Sequence, residues 1–199
     1  MEATRRELLR NAAIAATLGQ LSAEAMQHVH QHVAEEKKAA SGVYKPKALN
    51  PHEYKTVTKL SDLIIPPEGS EVGGAGVGAP EFIDLLCSGS DRMAQIWLGG
   101  LAWLDDQCLK RYEATFLDAK PAQQTEILDL IAYRRNDTPE TGPGIRFFDW
   151  ARRMVVDAYF TSPQGVKAVG YKGNVGMQVF QVPKEAIAYA IGRSPFKEG

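Results

Sequence analysis

Three histidines stand at alternate positions, His28, His30 and His32, in the run HVHQH. Imidazole nitrogens ligate zinc, copper and nickel, so H-x-H-x-H is the first place to look for metal chemistry. On a strand all three would share a face, whereas on a helix only His28 and His32 would. No second cluster of Cys, His or carboxylate follows to complete a site, and His52 is the one histidine elsewhere. The surroundings are polar and charged, so the expectation is a solvated histidine arm. A free-standing metal-binding protein is the alternative function. A chain starting at Met26 would add a terminal amine to a third-position histidine, a tetragonal nitrogen set suited to Cu(II).

The stretch Gly74-Ala75-Gly76-Val77-Gly78-Ala79 fits G-x-G-x-x-A. That pattern binds dinucleotides when a buried strand runs directly into it and an acidic residue closes a second strand about 20 positions later. Here PPEGSEV precedes it, and the region about 20 residues on has helical periodicity. A loop setting up a helix at Pro80 is the better account. If Cys87 closes one helix and Cys108 lies 17 residues into the next, counting from Asp91, a straight second helix holds them about 25 Å apart. A disulfide needs Cα atoms within about 7 Å, so two separate buried thiols are expected. There is no G-x-S-x-G elbow, and neither cysteine stands at a spacing that predicts a basic or histidine partner to activate it. Asp105 and Asp106 point to different faces of a helix and read as solvated or capping groups.

The elements that would carry these groups are helices. Asn50-Pro51 makes a helix start, followed by Tyr54, Val57, Leu60 and Ile64 at helical spacing. Pro80 opens a short helix, and Asp91 can cap a long one whose face runs from Met93 through Trp97, Leu101, Leu104 and Cys108 to Tyr112. Pro121 begins another. GPGIRFFDWARRMVVDAYF turns Ile145, Phe148, Val155 and Tyr159 inward and Arg152, Arg153 and Asp157 toward solvent. Ser162-Pro163 and Pro183 start two more, and only NVGMQVFQV alternates like a strand. The fold class expected is all-α, an irregular helical domain with long glycine- and proline-rich connections of a kind that wraps something.

At the N-terminus, TRRELLR is followed by an almost uncharged alanine-rich run that is too short to cross a bilayer. The order resembles a twin-arginine export signal: Arg5 and Arg6 as the pair, Leu8 and Leu9 as the apolar positions, then a basic Arg10. A small-x-small site stands at Ala23-Glu24-Ala25. The organisation expected is a signal over 1–25, a polar histidine-containing linker over 26–50, and a helical domain over 51–199. The net charge is −1, so nothing in it attracts nucleic acid.

Two blocks then carry a resemblance. LSDLIIPPEGSEVGGAGVGAPEFIDLL, residues 60–86, and FFDWARRMVVDAYFTSPQGVKAVGYKGN, residues 147–174, resemble the two motifs of the gluconate 2-dehydrogenase subunit 3 family. The resemblance implies a non-catalytic small subunit without a cofactor of its own. Its partners would be a large FAD-dependent oxidoreductase of the glucose-methanol-choline class, often a subunit carrying haem c, and the twin-arginine translocase. The implied location is the periplasm, with any membrane association made through a partner. Ile64, Ile65, Phe82 and Ile83 in the first block are candidate partner contacts. Phe147, Phe148, Tyr159 and Tyr171 are their counterparts in the second.

Overall fold

A computed structural model describes residues 22–171 and 182–193. Among the described residues there are eight α-helices, one short 3-10 turn and no strand, so the all-α expectation holds. The chain divides into two units, Met1–Val169 and Gly170–Gly199. The alternating segment falls almost wholly outside the described residues, at 174–181.

The first correction concerns the linker. Residues Ala23–Ala39 form helix α1, capped by Ser22, whose hydroxyl accepts from the Ala25 N–H. Met26, Val29 and Val33 recur at helical spacing and are buried. Lys37 and Lys38 sit in the last turn, where cations favour the negative end of the helix dipole. The chain then turns through Ser41 and Gly42, both at positive φ, and lays a strap over 43–50 with Tyr44 and Leu49 buried. The segment is part of the domain because three apolar side chains and this strap dock on it.

Helix α2, Pro51–Ile64, starts as expected: the Asn50 side chain accepts from His52 and Glu53, and Glu53 reaches back to the Asn50 N–H. Helix α3, Ala79–Gly89, occupies the centre, touching α1, α2, the long helix α4 (Asp91–Tyr112) and helix α6 (Gly142–Phe160). Every residue from Ala79 to Cys87 is buried, as expected of a helix with no solvent face. Ser90, rather than Asp91, caps α4 by accepting from the Met93 N–H. Helix α5 spans Pro121–Ile131, the 3-10 turn Arg134–Asn136, and helix α7 Pro163–Ala168 behind its Ser162 cap.

Glycine sets how closely α4 and α6 approach. A Cβ at Gly100 would lie 1.9 Å from the Phe147 ring, and one at Gly144 would lie 2.5 Å from Trp103. Phe147 in turn meets Trp97 edge to face, with centroids 5.4 Å apart. This packing is the use of Gly100, and α4 runs through it as one helix. In the second unit, helix α8 (Lys184–Arg193) has no buried residue, and Ile187, Tyr189 and Ile191 are exposed.

Candidate functional site

The first matched block is built around Asp84, which is fully buried. Its Oδ2 accepts from the Tyr44 hydroxyl at 2.8 Å and the Lys47 N–H at 2.7 Å. Its Oδ1 accepts from the Ala48 N–H at 3.0 Å and the Leu49 N–H at 2.8 Å. Three successive backbone donors and one phenol thus close on a single carboxylate, which satisfies a group that would be costly to bury alone. Burial and Asp84 push the Tyr44 phenol well above its ordinary range, so it stays a donor. The Pro-Glu-Phe-Ile-Asp run therefore holds the strap and α1 to the centre of the fold.

The glycine loop is a packing loop. A Cβ at Gly74 would lie 2.4 Å from the Ser61 carbonyl oxygen, and Gly78 sits at φ +89° immediately before α3. The Ala75 N–H donates to Asp62, and the Gly74 N–H donates to the Ile65 carbonyl. What precedes it is a tight turn bridged between Glu68 and Glu71. At the N-terminus of α3, where a dinucleotide's pyrophosphate would sit, Glu81 pairs with Lys37 at 2.6 Å. The loop does not fit a flavin or nicotinamide pyrophosphate.

The histidines diverge. His30 is half-buried against Phe82, with centroids 5.1 Å apart. Its Nε2 lies 3.0 Å from the Ala158 carbonyl and 3.1 Å from the Thr161 hydroxyl. A carbonyl only accepts, so Nε2 carries the proton. Burial lowers the His30 pKa from 6.5, opposed in part by that carbonyl bond, so the ring stays neutral. His32 pairs with Glu35, and His28 is exposed. Among the described residues no group of three or more His, Cys, Asp or Glu could hold a metal. The solvated-arm reading is thereby corrected: His30 joins α1 to the end of α6.

The remaining candidates settle into structural roles. Cys87 and Cys108 are free and buried. Burial raises both thiols, Cys108 to about 11, which keeps them protonated and unreactive. Asp105 accepts from His52 at 2.7 Å and from the Phe116 N–H at 2.9 Å, while Asp106 pairs with Lys110.

Of the partner-contact candidates, Phe82, Ile83, Phe147, Phe148 and Tyr159 are buried in the domain's own core. Ile64 and Ile65 are half-buried against it. Tyr171, in the second unit, is 65% exposed. Most apolar side chains of the two motifs thus point inward, with Val72, Phe160, Val169 and Tyr171 left exposed. The two blocks come together at a cleft of about 280 Å³ lined by Ser70, Glu71 and Val72 of the first and Tyr159, Gln164 and Lys167 of the second. Its lining offers hydrogen-bonding and charged groups at a protein surface.

One feature escaped the sequence reading. From Pro121 to Val166 the chain has five arginines and no lysine. Arg134, Arg135, Arg146, Arg152 and Arg153 are all exposed, carried by the 3-10 turn and the outer side of α6. The absence of lysine across that stretch was the signal that could have found it.

Fold and sites together define a small all-helical domain whose best-formed polar sites bind its own helices and strap to one another. A family model described as gluconate 2-dehydrogenase subunit 3 matches residues 51–176, more than half of the chain, and the chain belongs to that family of dehydrogenase accessory subunits. No curated protein and no solved structure matches it. The match begins at Pro51, so α1 and the strap lie outside it although they belong to the same compact unit.

Proposed function

We propose that the chain is the non-catalytic small subunit of an exported dehydrogenase, escorting and stabilising a large FAD-dependent subunit of the glucose-methanol-choline type. That subunit would oxidise sugars, sugar acids or polyols and pass electrons onward, to haem c where a cytochrome subunit is present. Membership of the family over residues 51–176 carries the reading. The Arg5-Arg6 start supports the export half of it, because the twin-arginine route moves folded cargo, and one signal can serve two chains bound together. No helix among the described residues is long and apolar enough to cross a membrane, so in this reading the partner makes any membrane contact.

The escort role is tested by replacing Arg5 and Arg6 together with Lys, which keeps the charge and removes the planar guanidinium fork. Both this chain and the large subunit should then stay in the cytoplasm. Undiminished large subunit in the periplasm of that strain would remove the escort role.

A further inference from the structure

The outer face of α6 and the adjoining 3-10 turn have the composition of an interface. Arg134, Arg152 and Arg153 line one cleft with Asp149 and Val156. Arg134, Arg146 and Arg153 line a second with Asp149 and Trp150. Asp149 lines both clefts beside these four guanidinium groups. Its two oxygens meet Arg134 at 3.3 Å and Arg152 at 3.4 Å, which leaves Arg146 and Arg153 facing the clefts without an ion pair to it. Asp157 and Asp137 lie beside the group, Asp157 near Arg153 and Asp137 near Arg146, so cations still outnumber anions.

Aromatic rings hold Arg153 and the neighbouring Arg135 in place. Arg135 sits 4.4 Å from the centroid of Tyr133, which is itself half exposed, and Arg153 sits 5.7 Å from that of Trp150. Stacking of this kind pre-orients a guanidinium and lowers the entropy lost when it binds a carboxylate. Arginine, tyrosine and tryptophan are enriched in interfaces and lysine is depleted. A solvated face with no partner has no need for that selection, and the twelve lysines of this chain all lie elsewhere.

We infer that this face is the docking surface for a carboxylate-bearing patch on the large dehydrogenase subunit. The inference rests on the accessory-subunit reading and adds where the two chains meet. Planar guanidiniums match carboxylates bidentately, and the half-buried Trp150 and exposed Tyr133 supply apolar area between them. Of the motif aromatics, Phe82, Phe147, Phe148 and Tyr159 are committed to the core, while Trp150 stays half-buried beside the arginines, so this surface supplies both anchoring rings and charge.

The experiment co-expresses tagged chain with the large subunit and compares wild type, Arg134→Glu/Arg153→Glu and Arg134→Lys/Arg153→Lys. Both substituted positions are exposed, and the melting temperature of each chain checks that the fold is kept. The reversal should weaken capture of the large subunit more than about tenfold, because like charges would then face each other. The lysine pair should show a smaller loss, and added salt should weaken wild-type capture. Wild-type capture matched by the reversed variant overturns the docking surface and leaves the accessory reading standing. Failure of the wild type to capture the large subunit overturns the accessory reading, and this inference with it. A reversed variant that keeps the large subunit but loses binding to phosphatidylglycerol vesicles assigns the face to lipid and likewise overturns the inference.

Discussion

Helix α3 and helix α6 each carry a motif block of the family, yet they use it differently. In α3 the apolar side chains and even the carboxylate of Asp84 face other parts of the same domain. In α6 one side does the same through Phe147, Phe148, Ala151 and Val155, while the other presents Arg146, Arg153 and the half-buried Trp150. The lesson is that a motif can mark a fold rather than a reaction. Where a helix is buried all round, its residues answer to packing. Where one side stays wet, side-chain type becomes free to serve a partner.

That contrast can be broken from the inside first. Phe82 is wholly buried, so Phe82→Ala should cost about 3–5 kcal/mol, read as a lower urea midpoint or melting temperature. An unchanged midpoint would mean that α3 is not the centre of the fold. Asp84→Asn should cost about 1.5–3 kcal/mol, since an amide offers one acceptor where four donors converge. Hydrogen exchange at Lys47, Ala48 and Leu49 should quicken with it, and protected amides there would contradict the clamp. Gly100→Ala should cost about 1–3 kcal/mol by driving a methyl into Phe147. Gly99, one residue away, has nothing within 4 Å, so Gly99→Ala should be neutral or stabilise by up to about 1 kcal/mol. Equal effects at the two glycines would contradict the α4–α6 packing.

A smaller effect should follow pH. His30 has its pKa lowered in the fold, so the unfolded chain takes up a proton there before the folded one does. The contribution of this neutral ring is fully present above about pH 6.5 and is lost as pH falls toward the lowered folded value. The stability difference between wild type and His30→Gln should therefore shrink on going from about pH 7.5 to 5.5. A difference that does not change with pH would show that His30 titrates normally. Smallest of all, Arg134→Ala and Arg152→Ala should change the isolated chain's stability by no more than about 0.5 kcal/mol, because exposed ion pairs contribute little.

Much of the helical frame was legible locally. Asn50-Pro51, Pro121 and Ser162-Pro163 announced helix starts through capping and the fixed φ of proline, and α6 followed its apolar period from end to end. Helix α1 was not legible, because only Met26, Val29 and Val33 mark its buried side among many charged and polar residues. What makes it part of the domain is remote: the strap is held by Asp84, 35 to 40 residues away, and His30 reaches Ala158. Hydrophobic pattern also sorts apolar residues into faces without saying what covers a face. Phe82 and Phe147 therefore served equally well as core or as partner contacts until the helices were placed.

The central claim is that this chain does its work by holding another. Its most direct measurement is dye-linked dehydrogenase activity in exported fractions of cells making the large subunit with and without this chain. Activity is expected with it and little or none without it, the large subunit then being left in the cytoplasm or poorly folded. Full activity of an exported large subunit in the absence of this chain would contradict the account.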